Sequence, residues 1–250
     1  MSRSRLESWN DDLAVPEIRD STALAIVSSV AGRVPSIGDA AGWHVRFGRE
    51  LNATDDRPHF VALDQRRPHL LPVVEGKLLS PFQVDVAKAT TAIPIAVAER
   101  LVDRASFESR RIAYRDVASA TNKLTLIAAL LPAGTISTHT VFVSKTALAD
   151  QDQWCLLGLM NSMVANFLVR ARVMTHVTAA LMARLPVPRP QSDSATFSEL
   201  AALSKVIASE GVSRAWREYA RLNAIGAIAY GLTRDQFAYI TDTFPLIDDA

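Results

Sequence analysis

Cysteine is nearly missing from this chain: Cys155 is the single one among 250 residues. One thiol excludes an intrachain disulfide and a thiolate zinc cluster, and it fits a reducing cytoplasm. No two of the ten glycines are spaced G-x-G. The glycine turns of dinucleotide and S-adenosylmethionine sites are therefore absent, and so are a Walker loop and a G-x-S-x-G elbow. His44, His59, His69, His139 and His176 show neither H-x-H nor H-x-x-x-H spacing, so a metal site would have to be assembled by the fold alone. No segment reaches the roughly 20 uninterrupted apolar residues of a membrane helix. Trp154–Val169 comes nearest, but Asn161, Asn166 and the arginines that follow interrupt it. The N-terminal MSRSRLESWNDD lacks the apolar run of a signal peptide.

Acidic residues are missing altogether from Gln153 to Ser192, although Arg170, Arg172, Arg184 and Arg189 stand in that stretch. The net charge is only +1, which excludes a generally basic nucleic-acid binder, but the charge is unevenly placed. Residues 1–116 carry 16 basic and 16 acidic side chains, residues 117–192 carry 6 and 2, and residues 193–250 carry 5 and 8. A basic middle beside an acidic tail is the footprint a DNA contact needs; chance segregation on a neutral protein is the competing reading. Apolar residues make up 49%, enough for a buried core and against disorder.

The patterning predicts an α+β fold, strand-rich to about residue 150 and helical afterwards. Ser21–Arg33 reads as an amphipathic helix stopped near Pro35. Trp43–Phe47, Phe60–Leu63, Leu70–Val74, Arg110–Val117, Leu124–Leu131 and Thr140–Val143 alternate or run apolar between turn residues, as strands do. From Gln153 the period becomes helical, until Pro186, Pro188 and Pro190 close the region and a Ser/Asp-rich linker follows. Phe197–Ala220 and Leu222–Tyr230 read as helices, and Thr233 as the N-cap of a last one, Arg234–Ile240. The expected division is a recognition unit over 1–190 and a helical tail over 191–250.

One catalytic pattern remains. Glu75-Gly76-Lys77, with Asp64 eleven residues earlier, imitates the acidic-x-Lys core of Mg²⁺-dependent nucleases, where carboxylates hold the metal and lysine stabilises developing phosphate charge. The pattern is short and common, and a turn at a strand end is the preferred reading.

An ordered series of motifs resembles the C-terminal target-recognition part of large adenine-specific DNA methyltransferases, including the fused type IIG restriction–modification enzymes and relatives from phage-defence systems. Phe47-Gly48-Arg49-Glu50-Leu51-Asn52 with Thr54-Asp55-Asp56 is similar to that family's entry segment. Leu71–Lys77 followed by Phe82 is similar to its "lPlyEGK–F", and Ala113–Asp116 with Ala120-Thr121-Asn122 and Thr125 to its "yRdi–aTN–T". Leu159–Ser162, Arg170, Val173, Thr175-His176 and Leu185–Pro188 are similar to "lNS–R–v–tH–lPvP", and Tyr230–Thr233 through Phe244-Pro245 to the ending "YGLt–yIl–FP". The series spans most of the chain. It departs from the family at Leu124, where relatives carry an arginine (Lys123 is adjacent), at Val173-Met174 in place of a Gly-Gly, and at Asn223 in place of an acidic residue.

The resemblance implies a specificity domain or subunit that binds double-stranded DNA beside a methyltransferase domain or subunit. S-adenosylmethionine is then expected on that catalytic part and no cofactor on this chain. The chain also lacks two adjacent prolines, and with them the Asn/Asp-Pro-Pro-aromatic loop that grips a flipped adenine. A split-gene subunit or a truncated product is the expectation. A non-DNA-binding protein-interaction module is the other class of reading. The candidate DNA contacts are Arg115, Thr121, Asn122, Lys123, Lys145, Arg170, Arg172 and His176. Basic groups there neutralise phosphates, and Asn122 could read an adenine edge. Each has a structural rival: Arg115 pairing with Asp116 or Asp103, Asn122 in an Asx turn, His176 in the core. Arg170 and Arg172 lie two apart and diverge by about 200° on a helix, so at most one faces DNA squarely. Arg49, Glu75 and Lys77 are expected to shape the entry to the unit, and Asn161 and Ser162 to form a buried network that fixes helix packing.

Overall fold

The structure, a computed structural model, describes residues 20–64, 69–117, 124–173 and 176–244. In chain order the elements are α1 (Ser21–Ala31), β1 (Phe47–Gly48), β2 (Val61–Ala62), β3 (Leu70–Val74), β4 (Leu79–Ser80), β5 (Gln83–Val84) and β6 (Thr91–Pro94). Two short helices follow, α2 (Ile95–Leu101) and α3 (Arg104–Glu108), then β7 (Arg111–Arg115), β8 (Ala128–Leu131), β9 (Ile136–Ser137) and β10 (Val141–Ser144). The rest is helical: α4 (Asp150–Met160), α5 (Met163–Arg170), α6 (Ala179–Ala183), α7 (Ala195–Glu210), α8 (Trp216–Ala229) and α9 (Arg234–Asp242). The fold is α+β, with strands in the first part and helices after them.

An antiparallel sheet of order β1-β10-β7-β8 lies at the centre. Alternation along its strands sends Ile112, Tyr114, Leu130 and Phe142 into the main core with α4 and α5. It sends Ala113, Leu131, Val141 and Val143 the other way, against Val74, Leu78 and Leu79. Burial on both faces is why these strands read as nearly continuous apolar runs. A second sheet, order β2-β6-β3-β9 with β3 and β9 parallel, encloses a smaller core of Leu51, Leu71, Val73, Ile93, Phe107 and Ile136.

Several elements differ from the sequence expectation, each for a local reason. Trp43–Arg46 is loop, because His44 adopts φ 54° and Val45 bonds back to Ile37. The strand expected from Leu124 starts at Ala128, since the Leu126 N–H is taken by the Asn166 side chain at 2.8 Å. The helical run from Gln153 breaks at Asn161-Ser162, where the Ser162 hydroxyl caps α5 by accepting from the Ala165 N–H. The tail breaks at Gly211, φ 84°, rather than near residue 220. The Thr233 cap is present as a full capping box with Gln236. Helices α7, α8 and α9 contribute Leu200, Tyr219, Leu222 and Ile240 to the same core as α4 and the sheet.

Candidate nucleic-acid interface

Asp116 follows β7 and is buried at 4% exposure. Its backbone is fixed at both ends: its N–H donates to the Thr140 carbonyl at 3.0 Å, and its carbonyl accepts from Val177 at 2.9 Å. A buried carboxylate needs partners, and Asp116 has two. Arg49 Nη2 donates to Oδ2 at 2.9 Å, and His176 Nδ1 lies 3.4 Å from Oδ1. The Arg49 guanidinium also sits 4.9 Å over the Phe142 ring, while the Arg49 and His176 side chains keep about half their surface in solvent, 50% and 53%. One buried anion thus bonds the half-exposed Arg49 and has the exposed His176 ring within ion-pair distance at the sheet end.

Arg115 projects from the other face of β7. Asp116 is occupied by Arg49 and His176, so the expected structural pairing of Arg115 with Asp116 does not form, and Arg115 has no ion-pair partner among the described residues. Its stem crosses Gly76, where an added Cβ would lie 3.2 Å from Arg115 Cγ and 3.0 Å from the Thr140 carbonyl oxygen. The Gly76 N–H donates to Thr140 Oγ1. The glycine of Glu75-Gly76-Lys77 is therefore what lets the β3 exit pack on the β7 end. Glu75 and Lys77 pair with each other, and no cluster of three His, Cys, Asp or Glu side chains suited to a metal occurs among the described residues.

Thr121, Asn122 and Lys123 lie outside the described residues, in the stretch joining Val117 to Leu124. Arg170 and Arg172 are committed inward. Arg170 donates to Thr125 Oγ1 and to the Thr243 carbonyl, and stacks 4.2 Å over Phe244; it ties the residues that follow α9 to α5. Arg172 donates to the Arg184 carbonyl at 3.1 Å, and burial pulls its guanidinium down to about 10. Lys145 stands on β10's exit, away from Arg170 in the chain and exposed along the rim of a cleft.

Asn161 and Ser162 form the expected buried network. Asn161 mimics a neighbouring strand: Oδ1 accepts from the Ala128 N–H at 3.1 Å, and Nδ2 donates to the Ala128 carbonyl at 3.0 Å. Asn166 Oδ1 accepts from the Leu126 N–H, while its Nδ2 donates to the Ser162 carbonyl. Asn223, which stands in place of an acidic residue, accepts from the Met163 N–H at 2.7 Å and so satisfies the start of α5.

Sequence reasoning missed the most buried ion pair. The Glu50 carboxylate, fully buried, takes both Nε and Nη2 of Arg111 at 2.8 Å, and Ser137 donates to it from its backbone N–H and its hydroxyl. The signal was a charged residue, Arg111, at the start of a strand whose next three residues are apolar or aromatic. The proline exit is likewise framework: the Tyr230 hydroxyl donates to the Pro186 carbonyl and Trp43 Nε1 to that of Pro188.

No protein-family model matches the chain, and no curated protein matches it. Among solved structures the fold is similar to the type IIL restriction–modification enzyme MmeI, determined in complex with DNA. The TM-score is 0.53 at 12% identity, over 86% of this chain and 36% of that one. The chain thus spans about a third of the length of the enzyme it matches. No helix among the described residues is long and apolar enough to cross a membrane.

Proposed function

We propose that this chain is the DNA target-recognition module of an adenine-N6 DNA methyltransferase, within a restriction–modification or phage-defence system. It works beside a methyltransferase domain or subunit. The observation that carries the reading is the likeness of the fold, over 86% of the chain, to a restriction–modification enzyme determined with DNA. The ordered motifs support it.

In sequence, Arg115 and Asp116 shortly precede the stretch that carries Thr121, Asn122 and Lys123, and Asp116 bonds the exposed Arg49 and lies within ion-pair distance of the exposed His176. Apart from Asp116, these are the residues assigned to the duplex. Arg49, Arg115 and Lys123 neutralise phosphates, and Asn122 offers a bidentate amide to a base edge. Arg170 and Arg172 are assigned to the framework because their guanidinium groups are spent on carbonyls. S-adenosylmethionine belongs to the catalytic partner: the glycine-rich turn that would cradle it is missing from this sequence.

Fluorescence anisotropy with a mixed-sequence duplex tests the reading. Affinity should fall steeply between about 50 and 200 mM salt, and each phosphate contact removed, by Arg115→Gln or Lys123→Gln, should flatten the log–log slope by about 0.9. Absence of duplex binding at the lower salt would refute the reading and favour a protein-interaction module.

A further inference from the structure

The Glu75-Gly76-Lys77 turn leaves β3 beside the end of β7, and its glycine meets Arg115. A Cβ on Gly76 would lie 3.2 Å from Arg115 Cγ, 3.0 Å from the Thr140 carbonyl oxygen and 3.4 Å from Thr140 Cβ. Only a residue without a side chain lets the Arg115 stem lie across the turn. Thr140 ties the parts together. Its Oγ1 accepts from the Gly76 N–H at 2.9 Å and lies 3.1 Å from Thr138 Oγ1, and its carbonyl accepts from the Asp116 N–H at 3.0 Å. The guanidinium carried on this bed has no counter-ion among the described residues. Arg115 is half-buried, and a cation that gives up part of its hydration needs a partner. Neither adjoining carboxylate supplies one: Asp116 takes Arg49, and Glu75 takes Lys77. The stretch 118–123 contains no acid, and the first acidic residue after Asp116 is Asp150, which pairs with Arg110 and Lys205.

A half-buried guanidinium on a shaped bed, with each neighbouring carboxylate already paired, calls for an anion from outside the chain. We propose that the Glu75-Gly76-Lys77 turn is a cradle that presents Arg115 to one backbone phosphate of the duplex, with Gly76 as the positioning residue. A planar guanidinium on a held stem offers two parallel N–H donors to a phosphate, and holding the stem before binding lowers the ordering cost of the contact. The pairing of Lys77 with Glu75 leaves that carboxylate occupied. This cradle rests on the recognition reading and gives the turn its task within it.

The test is duplex binding by anisotropy between about 50 and 200 mM salt, on the full chain and on Arg115→Gln, Arg115→Lys, Gly76→Ala and the Gly76→Ala/Arg115→Gln double variant. Thermal melts check that each folds. Arg115→Gln should flatten the log–log slope by about 0.9, and Arg115→Lys, which keeps the charge, should restore it. Gly76→Ala should weaken binding roughly threefold in the unaltered background and have no further effect beside Arg115→Gln, because it acts through that side chain. A slope unchanged by Arg115→Gln overturns the proposal. So does Gly76→Ala that leaves affinity unchanged, or that weakens binding equally with and without Arg115. If Gly76→Ala does not fold, the unaltered chain decides: without DNA, the Arg115 Nε–H group should show an NMR order parameter above about 0.6, and a lower value means that no cradle holds the stem. In each of these failures, salt-sensitive duplex binding leaves the recognition reading standing. A chain that binds no duplex at the lower salt fails the recognition reading itself, and the phosphate assignment falls with it.

Discussion

At the scale of single residues, the polar groups inside this protein divide into those that hold the backbone and those that hold other side chains. Asn161 belongs to the first kind. Its amide satisfies both backbone groups of Ala128, so Asn161→Leu strands a buried N–H and a buried C=O. An unsatisfied buried group costs about 1–3 kcal/mol. The variant should lower the denaturant midpoint accordingly while leaving the salt slope of DNA binding unchanged, and a changed slope with normal stability would show that Asn161 touches DNA. Asp116 is of the second kind. Asp116→Asn removes the charge that holds Arg49 and His176; duplex affinity should fall, and the Arg49→Gln effect should shrink in its presence. Additive effects in that double-mutant cycle would separate the two residues.

Cys155 is fully buried, and burial pushes its thiol up to about 12 from an ordinary 9. The neutral thiol is the folded form, so the unfolded chain binds fewer protons between about pH 9 and 12. The contribution to stability is present below pH 9 and is lost as pH rises through that window. At pH 8 a thiol reagent should therefore react only at the rate of global unfolding; fast labelling of the native protein would contradict this burial.

At the scale of elements, the helical half is positioned by close approach. A Cβ on Gly158 of α4 would stand 2.3 Å from Ser204 Oγ of α7 and 3.1 Å from Leu222 Cδ1 of α8. Gly158→Ala should cost about 1–3 kcal/mol by overpacking, and Ser204→Ala in the same chain should recover part of it because it removes the nearest atom. Two thermal melts decide it: equal destabilisation with and without Ser204 would locate the strain elsewhere. The hairpin of β4 and β5 is a second close contact. Phe82 takes φ 67° at its turn, and its ring meets Tyr219 edge-on at 6.2 Å, which couples the "EGK–F" segment to the tail helix.

At the scale of the whole molecule, the tail is not a separate layer. Leu200, Tyr219, Leu222 and Ile240 share one core with the sheet's inner face and with α4. Arg170 clamps Thr243 and Phe244, and Tyr239 donates to Asp20, the cap of α1. Urea unfolding followed by tryptophan fluorescence and by far-UV circular dichroism should give coincident transitions, and a chain ending at Pro190 should not fold cooperatively. Two separated transitions would instead make residues 191–250 an independent unit.

The sequence by itself determined the class of fold. Period-two runs such as Leu70–Val74 and Arg111–Arg115 and the capping box at Thr233 are local signals, and local signals survive without knowing the fold. The ordered motifs were also legible, and so was the structural role of Asn161 and Ser162, but their partners were not. Glu50, Gly76, Asn161, Pro186 and Tyr230 are joints of the framework, and each acts on a partner far along the chain: Glu50 on Arg111, Gly76 on Arg115, Asn161 on Ala128, and Tyr230 on Pro186. Only the tertiary structure decided which cations face outward. Charge counting placed Arg170 and Arg172 beside Arg115, and helix spacing let at most one of the two face DNA squarely, whereas backbone carbonyls and an aromatic ring engage both and Asp116 bonds the exposed Arg49. A side chain's charge is written in the sequence; whether that charge is already satisfied depends on neighbours brought together by folding.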